Sequence, residues 1–236
     1  MRKPSGILFD LGGTLLGEFK FDRLAGRTRL LEIAHNPEGV TVADYAAIAQ
    51  EFHTTIWNGR DDHRVEFPVA AFWRLVDERL GIAFDIPPEQ VELEFWKATV
   101  TMRPEPGVGE ALDALRAAGL PLGVVSNSAF SGYVLSWELE RHGLRDRFEF
   151  LMSSADYGVR KPHRAMYLTA AAKLGLDPRD VWFIGDLLTH DVAGALAADM
   201  TALWYNPKKA PCDDVTPHAE IHHWGELRDM IRAAAP

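Results

Sequence analysis

Cysteine and long apolar runs are the two features that this sequence most lacks. Its 236 residues include one cysteine, Cys212, so the chain cannot form an intrachain disulfide. A reducing compartment suits such a chain, and we predict a cytoplasmic location. No apolar run approaches the roughly 20 residues that a membrane-spanning helix needs, and Asp10 interrupts the first run too early for a signal peptide. We therefore expect no membrane association.

Positive charge is also scarce. The chain has 25 Lys and Arg against 34 Asp and Glu, which gives a formal net charge of −9. An acidic chain without basic clusters is poorly suited to nucleic acid, so we expect no nucleic-acid partner. A protein of this charge that binds an anion has to overcome its own negative charge locally. The length and the 47% of hydrophobic residues suffice for one large domain, or two modest ones, with a substantial core.

Short apolar runs alternate with helical patterns over most of the chain. Residues 6–11 predict a buried strand that ends in a tight loop at Gly12 and Gly13. Further strands are predicted at 120–125, 148–152, 180–184, 202–205 and 219–222, with helices at 108–118, 132–142, 163–174, 191–198 and 224–233. This alternation predicts βαβ units, and therefore an α/β fold with a doubly wound parallel sheet.

Residues 17–102 have a different pattern. Apolar residues recur there at the spacing of amphipathic helices, as in Phe72, Val76 and Leu80, and strand-like alternation is scarce. The segment holds nine basic and fifteen acidic residues, so it carries −6 of the net charge. We predict a core domain of residues 1–16 and 103–236, interrupted by an all-helical cap domain of residues 17–102.

Polar side chains stand where the predicted strands end. They are Asp10, Ser126, Asn127, Lys161 and Asp186, with Asp191 five residues after the last of these. The carboxyl ends of parallel strands meet at one edge of a sheet, where ligands bind. Three carboxylates at one edge repel each other unless a cation lies between them. Mg²⁺ prefers oxygen ligands and commonly accompanies phosphate, so the pattern predicts a magnesium site that binds a phosphoryl group beside Lys161.

These segments resemble the motifs of the haloacid dehalogenase-type hydrolase superfamily. The family's first motif is an apolar strand ending in Asp-x-Asp-Gly-Thr, and residues 7–15 read ILFDLGGTL. The second strand ends in Ser or Thr, as in VVSN at 124–127, and the third motif is a lysine, commonly before proline, as in RKP at 160–162. The fourth is Gly-Asp-x(3–4)-Asp, as in GDLLTHD at 185–191. All four occur in the family's order across the predicted core, and the helical segment matches the family's cap in position and size.

The resemblance implies roles for individual residues. Those implied to act in catalysis are Asp10 as the nucleophile, with Ser126 and Lys161 binding the phosphoryl group. Those implied to shape the phosphate site are Thr14, which organises the first loop, and Asn127, for which a structural role in its turn is an equal alternative. Those implied to hold or support Mg²⁺ are Asp10, Gly12 through its backbone carbonyl, Asp186 and Asp191. The resemblance thus implies a Mg²⁺-dependent phosphatase that acts on a small phosphorylated metabolite through an aspartyl phosphate on Asp10.

One position departs from the family pattern. The family's phosphatases have a second Asp two residues after the nucleophile, and this chain has Gly12 there. A glycine keeps the backbone carbonyl that binds the metal but lacks the side chain that protonates the leaving group. General acid–base assistance is typically worth about 10²–10⁴-fold in rate. We therefore expect an intact metal site with weakened turnover of ordinary alkyl phosphate esters.

Three explanations of Gly12 stay open. The substrate of a phosphatase could have a good leaving group, or the acid could come from substrate-bound water or from the cap, where His53, His63, Lys20 and Arg23 are candidates. A second explanation is a phosphonate-type or haloacid-type hydrolase, since those family members also lack this Asp. The third is a catalytically weakened, metal-binding pseudo-enzyme that acts through interaction.

Overall fold

The computed structural model describes residues 1–56, 63–212 and 215–233, and its centre is a parallel sheet. The strands are β1 (Gly6–Phe9), β2 (Leu16–Phe21), β3 (Val100–Pro104), β4 (Leu122–Ser126), β5 (Phe150–Ser153), β6 (Val181–Gly185), β7 (Thr201–Tyr205) and β8 (Ala219–Ile221). Six of them form the sheet in the order β5-β4-β1-β6-β7-β8, and every neighbouring pair is parallel. The predicted doubly wound sheet is confirmed.

The described ranges contain ten α-helices, and those of the core cover both faces of this sheet. The ten helices are α1 (Arg23–Ile33), α2 (Val42–Ile56), α3 (Val69–Leu80), α4 (Pro88–Thr99), α5 (Val108–Ala117), α6 (Gly132–Arg141), α7 (Ser154–Tyr157), α8 (Arg164–Leu174), α9 (Ala193–Ala197) and α10 (Trp224–Ala233). The predicted helix at 191–198 corresponds to α9, which is preceded by a π-helical turn at Leu188–Val192. In the described ranges, no helix is both long and apolar enough to cross a membrane.

Strand β1 is buried on both sides because its side chains alternate between two cores. Ile7 and Phe9 join one hydrophobic cluster, which includes residues of α5, α6 and α10, and Leu8 joins the other, which includes residues of α8 and α9. On its two edges β1 pairs with β4 and with β6, so the chain reverses its winding direction at β1. The crevice beyond the carboxyl end of β1 is therefore the position where ligands bind in sheets of this kind.

The insertion between β1 and β4 is joined to the rest of the chain by two strands that the sequence did not predict. β2 and β3 form an antiparallel pair with an irregular register between Gly17 and Lys20. Between them lie helices α1 to α4. The four helices agree with the sequence, but the predicted all-helical character of residues 17–102 is wrong at its ends, where β2 and β3 lie. The treatment of this segment as a separate cap domain stays a prediction.

An aromatic cluster packs the insertion against the core. We use this name for Phe21, Trp73, Phe95, Trp96 and Phe130. The rings of Trp73 and Phe95 are 4.7 Å apart between centroids, and those of Trp96 and Phe130 are 4.8 Å apart. Phe95 and Phe130 stack at 6.0 Å. Since Phe130 follows β4 and the other four belong to the insertion, one continuous hydrophobic cluster spans both parts of the molecule.

Asp77 of α3 provides a test of the packing within the insertion. Its Oδ1 accepts a hydrogen bond of 3.0 Å from the Tyr45 hydroxyl, and burial raises the pKa of Asp77 from 3.8 to about 7. The folded state then binds more protons than the unfolded state between these values, so this group lowers the free energy of unfolding as pH rises from about 4 to 7. Asp77→Asn keeps an acceptor for Tyr45, and we expect it to raise the free energy of unfolding at pH 8 by about 1–3 kcal/mol.

Urea unfolding at pH 4 and pH 8 measures this effect. The variant and the wild type should converge at pH 4, where the carboxyl is protonated in the folded wild type. The exposed Asp85, for which the same substitution removes no buried charge, is the matched control. Equal gains for Asp77→Asn at both pH values would contradict the assignment.

Candidate active site

The predicted polar residues meet at the carboxyl edge of the sheet. Asp10 directly follows β1, and its backbone N–H donates to the Ile184 carbonyl of β6 at 2.9 Å. Ser126 is the last residue of β4, and Asp186 directly follows β6. Lys161 follows β5 and α7. The parallel register thus places these side chains on one edge although up to 176 residues separate them in the sequence.

Asp10 is held by two side chains. Lys161 Nζ donates to its Oδ1 at 2.6 Å, and the Thr14 hydroxyl donates to its Oδ2 at 3.2 Å. The same hydroxyl lies 3.3 Å from Oδ1 of Asp186, so Thr14 bridges the first and fourth motifs. The Asp10 residue is only 7% exposed, and these hydrogen bonds fix the direction of its carboxylate. These contacts are compatible with the role implied for Thr14 in the first loop, which stays a prediction.

Lys161 is the central cation of this group. It is 2% exposed, and its Nζ lies 2.6 Å from an oxygen of Asp10 and 2.6 Å from Oδ1 of Asp191. Burial alone would lower the pKa of Lys161, but the charges of the two aspartates outweigh it and the pKa stands above its usual value. Lys161 is therefore charged at neutral pH.

Asn127 holds the backbone of Lys161. Its Oδ1 accepts from the Lys161 N–H at 2.7 Å, and its Nδ2 donates to the Lys161 carbonyl at 2.9 Å. Both ends of the amide are thus used within the protein. Of the two roles left open for Asn127, these contacts favour the structural one.

The three aspartates form a cluster that can hold a cation. One carboxylate oxygen from each of Asp10, Asp186 and Asp191 lies within 4.8 Å of the others. Burial, opposed by Lys161, raises the pKa of Asp10 to about 6, and burial with the Asp10 charge raises that of Asp186 to about 7. Asp191 accepts from Lys161 at 2.6 Å and from the Leu187 N–H at 3.0 Å, and it is 1% exposed.

Two glycines let the loops approach these carboxylates closely. A Cβ on Gly13, whose φ is +82°, would lie 2.5 Å from Oδ2 of Asp186, and a Cβ on Gly185 would lie 2.3 Å from Cγ of Asp191. Gly12 differs from both. Its Cβ would meet a single neighbour, Cε of Met102 at 3.9 Å. A Cβ at position 12 therefore fits without a close contact.

Gly185→Ala is expected to distort the aspartate cluster. The added methyl group would displace the Asp191 carboxylate that holds Lys161, and overpacking of this kind typically costs about 1–3 kcal/mol. We expect a lower melting temperature together with loss of activity. Gly109→Ala on α5 is the matched control, since its nearest contact is Leu144 Cδ2 at 4.0 Å and alanine favours helices. An unchanged melting temperature for Gly185→Ala would show that Asp191 is not held as described.

Two adjoining cavities open at the cluster. The aspartate cavity, of about 330 Å³, is lined by Asp10, Gly12, Ser126, Asn127, Arg160, Lys161, Leu187, His190 and Asp191. The apolar cavity, of about 390 Å³, shares Gly12, Ser126 and Asn127 with it and extends to Phe19, Phe21, Trp96, Met102 and Phe130. Within the described ranges, the candidate acids His53, His63, Lys20 and Arg23 line neither cavity.

The sequence did not reveal the walls of the apolar cavity. Phe19 and Phe21 come from β2, whose short alternating pattern was not recognised as a strand. The signal was present, because alternate residues of an extended segment lie on one side. Phe130 follows the second motif, but nothing in its neighbourhood marks it as a cavity residue.

The sequence also missed a contact between the insertion and the loop of Lys161. Glu66 is buried, and its Oε2 accepts from the Ser154 hydroxyl at 2.7 Å and from Arg160 at 3.2 Å. The backbone adds a hydrogen bond of 3.0 Å from the Glu66 N–H to the Gly158 carbonyl. The residue before the site lysine is therefore tied to the insertion, and a lone Glu before Phe gives no sequence signal for this.

Comparison with known proteins agrees with the four motifs. The family model for haloacid dehalogenase-like hydrolase matches residues 4–199. The chain is 33% identical over 140 residues to glyceraldehyde 3-phosphate phosphatase of Methanopyrus kandleri, a match that covers 57% of this chain and 59% of that protein. It is 28% identical to pyrimidine 5'-nucleotidase YjjG of Escherichia coli, with 95% of this chain and 96% of the relative covered.

A solved structure matches the whole chain as well. The 2-haloacid dehalogenase of Pseudomonas syringae superimposes with a TM-score of 0.68 at 26% identity, and both chains are covered completely. Phosphatases and dehalogenases thus both occur among the similar proteins, while the family model covers far more than half of the sequence. The chain belongs to the haloacid dehalogenase-like hydrolases.

Proposed function

We propose that this hydrolase is a Mg²⁺-dependent phosphatase that acts on a small phosphorylated metabolite through Asp10. The observation that carries the proposal is the position of Lys161, which pairs at 2.6 Å with both Asp10 and Asp191 beside the acidic cluster. Phosphatases among the similar proteins support it, as do the small phosphorylated substrates that their names describe.

The donor set fits a hard divalent cation. Carboxylate oxygens are the ligands that Mg²⁺ prefers, and a cation beside Asp10 and Asp186 would favour the charged forms that burial disfavours. We infer that Asp10, Asp186 and the Gly12 carbonyl hold the ion and that Asp191 supports them. When bound, Mg²⁺ would supply a positive charge next to the phosphoryl oxygens.

The chain's own residues define the two chemical steps. A carboxylate oxygen of Asp10 attacks phosphorus, the bond to the ester oxygen breaks, and an aspartyl phosphate forms. Lys161 neutralises the oxygens that carry charge in the transition state, and the Ser126 hydroxyl, at the border of the two cavities, donates to one of them. Water then attacks phosphorus, which releases inorganic phosphate and restores the Asp10 carboxylate. In the first step the leaving oxygen takes its proton from water, because Gly12 has none to give.

A metal-dependence assay with a substrate panel tests the proposal. We expect phosphate release from p-nitrophenyl phosphate and acetyl phosphate, whose leaving groups need little protonation. EDTA should abolish it and added Mg²⁺ should restore it. The same samples should release no chloride from 2-chloropropionate.

Three outcomes contradict parts of the proposal. If EDTA does not affect phosphate release, the reaction does not depend on a metal ion. Chloride release without phosphate release identifies a dehalogenase. If neither product appears and calorimetry detects no Mg²⁺ binding, the chain is a pseudo-enzyme.

A further inference from the structure

A third cavity, of about 480 Å³, lies where the insertion helices meet the core loop at Ala129 and Phe130. We call it the arginine cavity because Arg23 and Arg27 of α1 line it, together with His53. The rest of its wall is largely aromatic and includes Phe72 and Trp73. Among the described residues that line it, none is an Asp or Glu. A basic cavity is unexpected in an insertion whose net charge is −6.

The arginine cavity lies next to the cavities at the aspartate cluster. It shares Phe21 and Phe130 with the apolar cavity, which in turn shares Gly12 and Ser126 with the aspartate cavity. A molecule that spans from Asp10 to the two arginines passes along this shared aromatic wall. Flat or apolar groups suit that wall, because aromatic side chains stack with them.

The two arginines lack a negative partner in the described part of the chain. No carboxylate oxygen there lies within the 4.0 Å of an ion pair from either guanidinium, and the Arg23 guanidinium lies over the Phe21 ring at 5.4 Å. On the same helix, Arg29 has two partners, Glu94 at 2.6 Å and Glu32 at 3.3 Å. Burial and the charge of Arg23 both lower the pKa of the half-buried Arg27. An anion in this cavity would relieve that repulsion.

We propose that the arginine cavity binds a second anionic group of the substrate. The substrate class is then a phosphate ester with a flat or apolar body and a carboxylate or second phosphate at its far end. A guanidinium suits either anion, because its planar N–H groups match the oxygens of both. The inference rests on the proposed phosphatase function, since it takes the phosphoryl group to lie at Asp10.

Matched substrates test the inference. The probes are phenyl phosphates with a para side chain of equal length that ends in a carboxylate, a phosphonate or a neutral carboxamide. For the wild type we expect kcat/KM for at least one charged probe to exceed that for the carboxamide by about tenfold or more, as charge-assisted hydrogen bonds allow. The kcat/KM values of the carboxylate and phosphonate probes show which anion is preferred.

Variants then assign the preference to the arginines. The double variant Arg23→Gln, Arg27→Gln should bring the ratio of charged to neutral probe close to one, and Arg27→Lys should leave an intermediate ratio. Arg79→Gln, which changes an exposed arginine of α3 outside this cavity by the same charge, should keep the wild-type ratio. A wild-type ratio near one, or an unchanged ratio in the double variant, overturns the inference.

Binding measured without turnover separates this inference from the phosphatase function. Calorimetric titration with 3-phenylpropanoate, 2-phenylethylphosphonate and 3-phenylpropanamide should detect an anionic probe in the wild type and none in the double variant. Such binding without hydrolysis of any ester would keep the anion site and reject the phosphatase. Equal hydrolysis of charged and neutral probes, with no anion binding, would keep the phosphatase and reject the anion site.

Discussion

Phosphate release by the Asp10→Asn variant is expected to fall by about 10³-fold or more, since the proposed nucleophile is lost. The fold should survive the change. Burial raises the pKa of Asp10 to about 6, so its charged form is disfavoured in the folded state and a neutral amide removes that cost. The amide can accept from Lys161 and donate to Thr14, and Lys161 keeps Asp191 as its partner. We therefore expect a melting temperature at pH 8 equal to or above that of the wild type.

The combination of lost activity and retained stability identifies the role of Asp10. Rate constants are measured with p-nitrophenyl phosphate and melting temperatures by circular dichroism, with Asp146→Asn, an exposed aspartate outside both cavities, as the control. Mass spectrometry of acid-quenched enzyme should detect a phosphoryl adduct in the wild type and none in Asp10→Asn. Activity that survives in Asp10→Asn would falsify the nucleophile assignment.

The fold was largely predictable because local sequence and tertiary structure agree in the core. Apolar runs such as residues 180–184 lie in strands buried on both faces, and helix-ending glycines such as Gly175, whose φ is +71°, stand where the helices end. Agreement is weaker at β2 and β3. Each is short and half exposed, so neither produces a long apolar run, and their pairing depends on contacts across 79 to 88 residues.

The site was predictable to the level of its motif residues and no further. The position of Asp10, Lys161 and Asp186 on one edge follows from the parallel strand order. The position of Arg27 does not, because it depends on how α1 packs against the other helices of the insertion. Residues that line a cavity in this way are brought together by tertiary packing, and the weak amphipathic pattern of α1 does not mark which of its side chains face the cavity.

The charge inside the cavities differs in sign from the net charge of the chain. The insertion carries −6 of the total −9, yet the two described residues that give the arginine cavity its permanent charge are positive. At the aspartate cluster, the positive charges of Lys161 and of the proposed ion offset the negative charges of the three aspartates. An acidic protein can in this way present a cleft with positive charge at both ends, since local charges decide the potential inside a partly buried site.

Gly12→Asp is expected to raise kcat for alkyl phosphates by about 10²–10⁴-fold, the usual contribution of a general acid and base. The structure permits the change, because a Cβ at this position meets only Met102 Cε at 3.9 Å and Gly12 is not among the residues with positive φ. The new carboxyl group would lie beside Asp10, and repulsion from that charge raises its pKa toward the range of a proton donor. The gain should be small for p-nitrophenyl phosphate, since nitrophenolate leaves without protonation.

The dependence of kcat on the leaving group separates acid catalysis from other effects. Across a series of esters, the wild-type rate should fall steeply as the pKa of the leaving alcohol rises, and the Gly12→Asp rate should fall much less. Gly12→Asn is the matched control, because it has the same shape without an acidic proton and should behave like the wild type. An equal gain from both variants would mean that side-chain volume, not proton transfer, limits the wild type. No gain from either would mean that the scaffold lacks more than the acid, which favours the pseudo-enzyme.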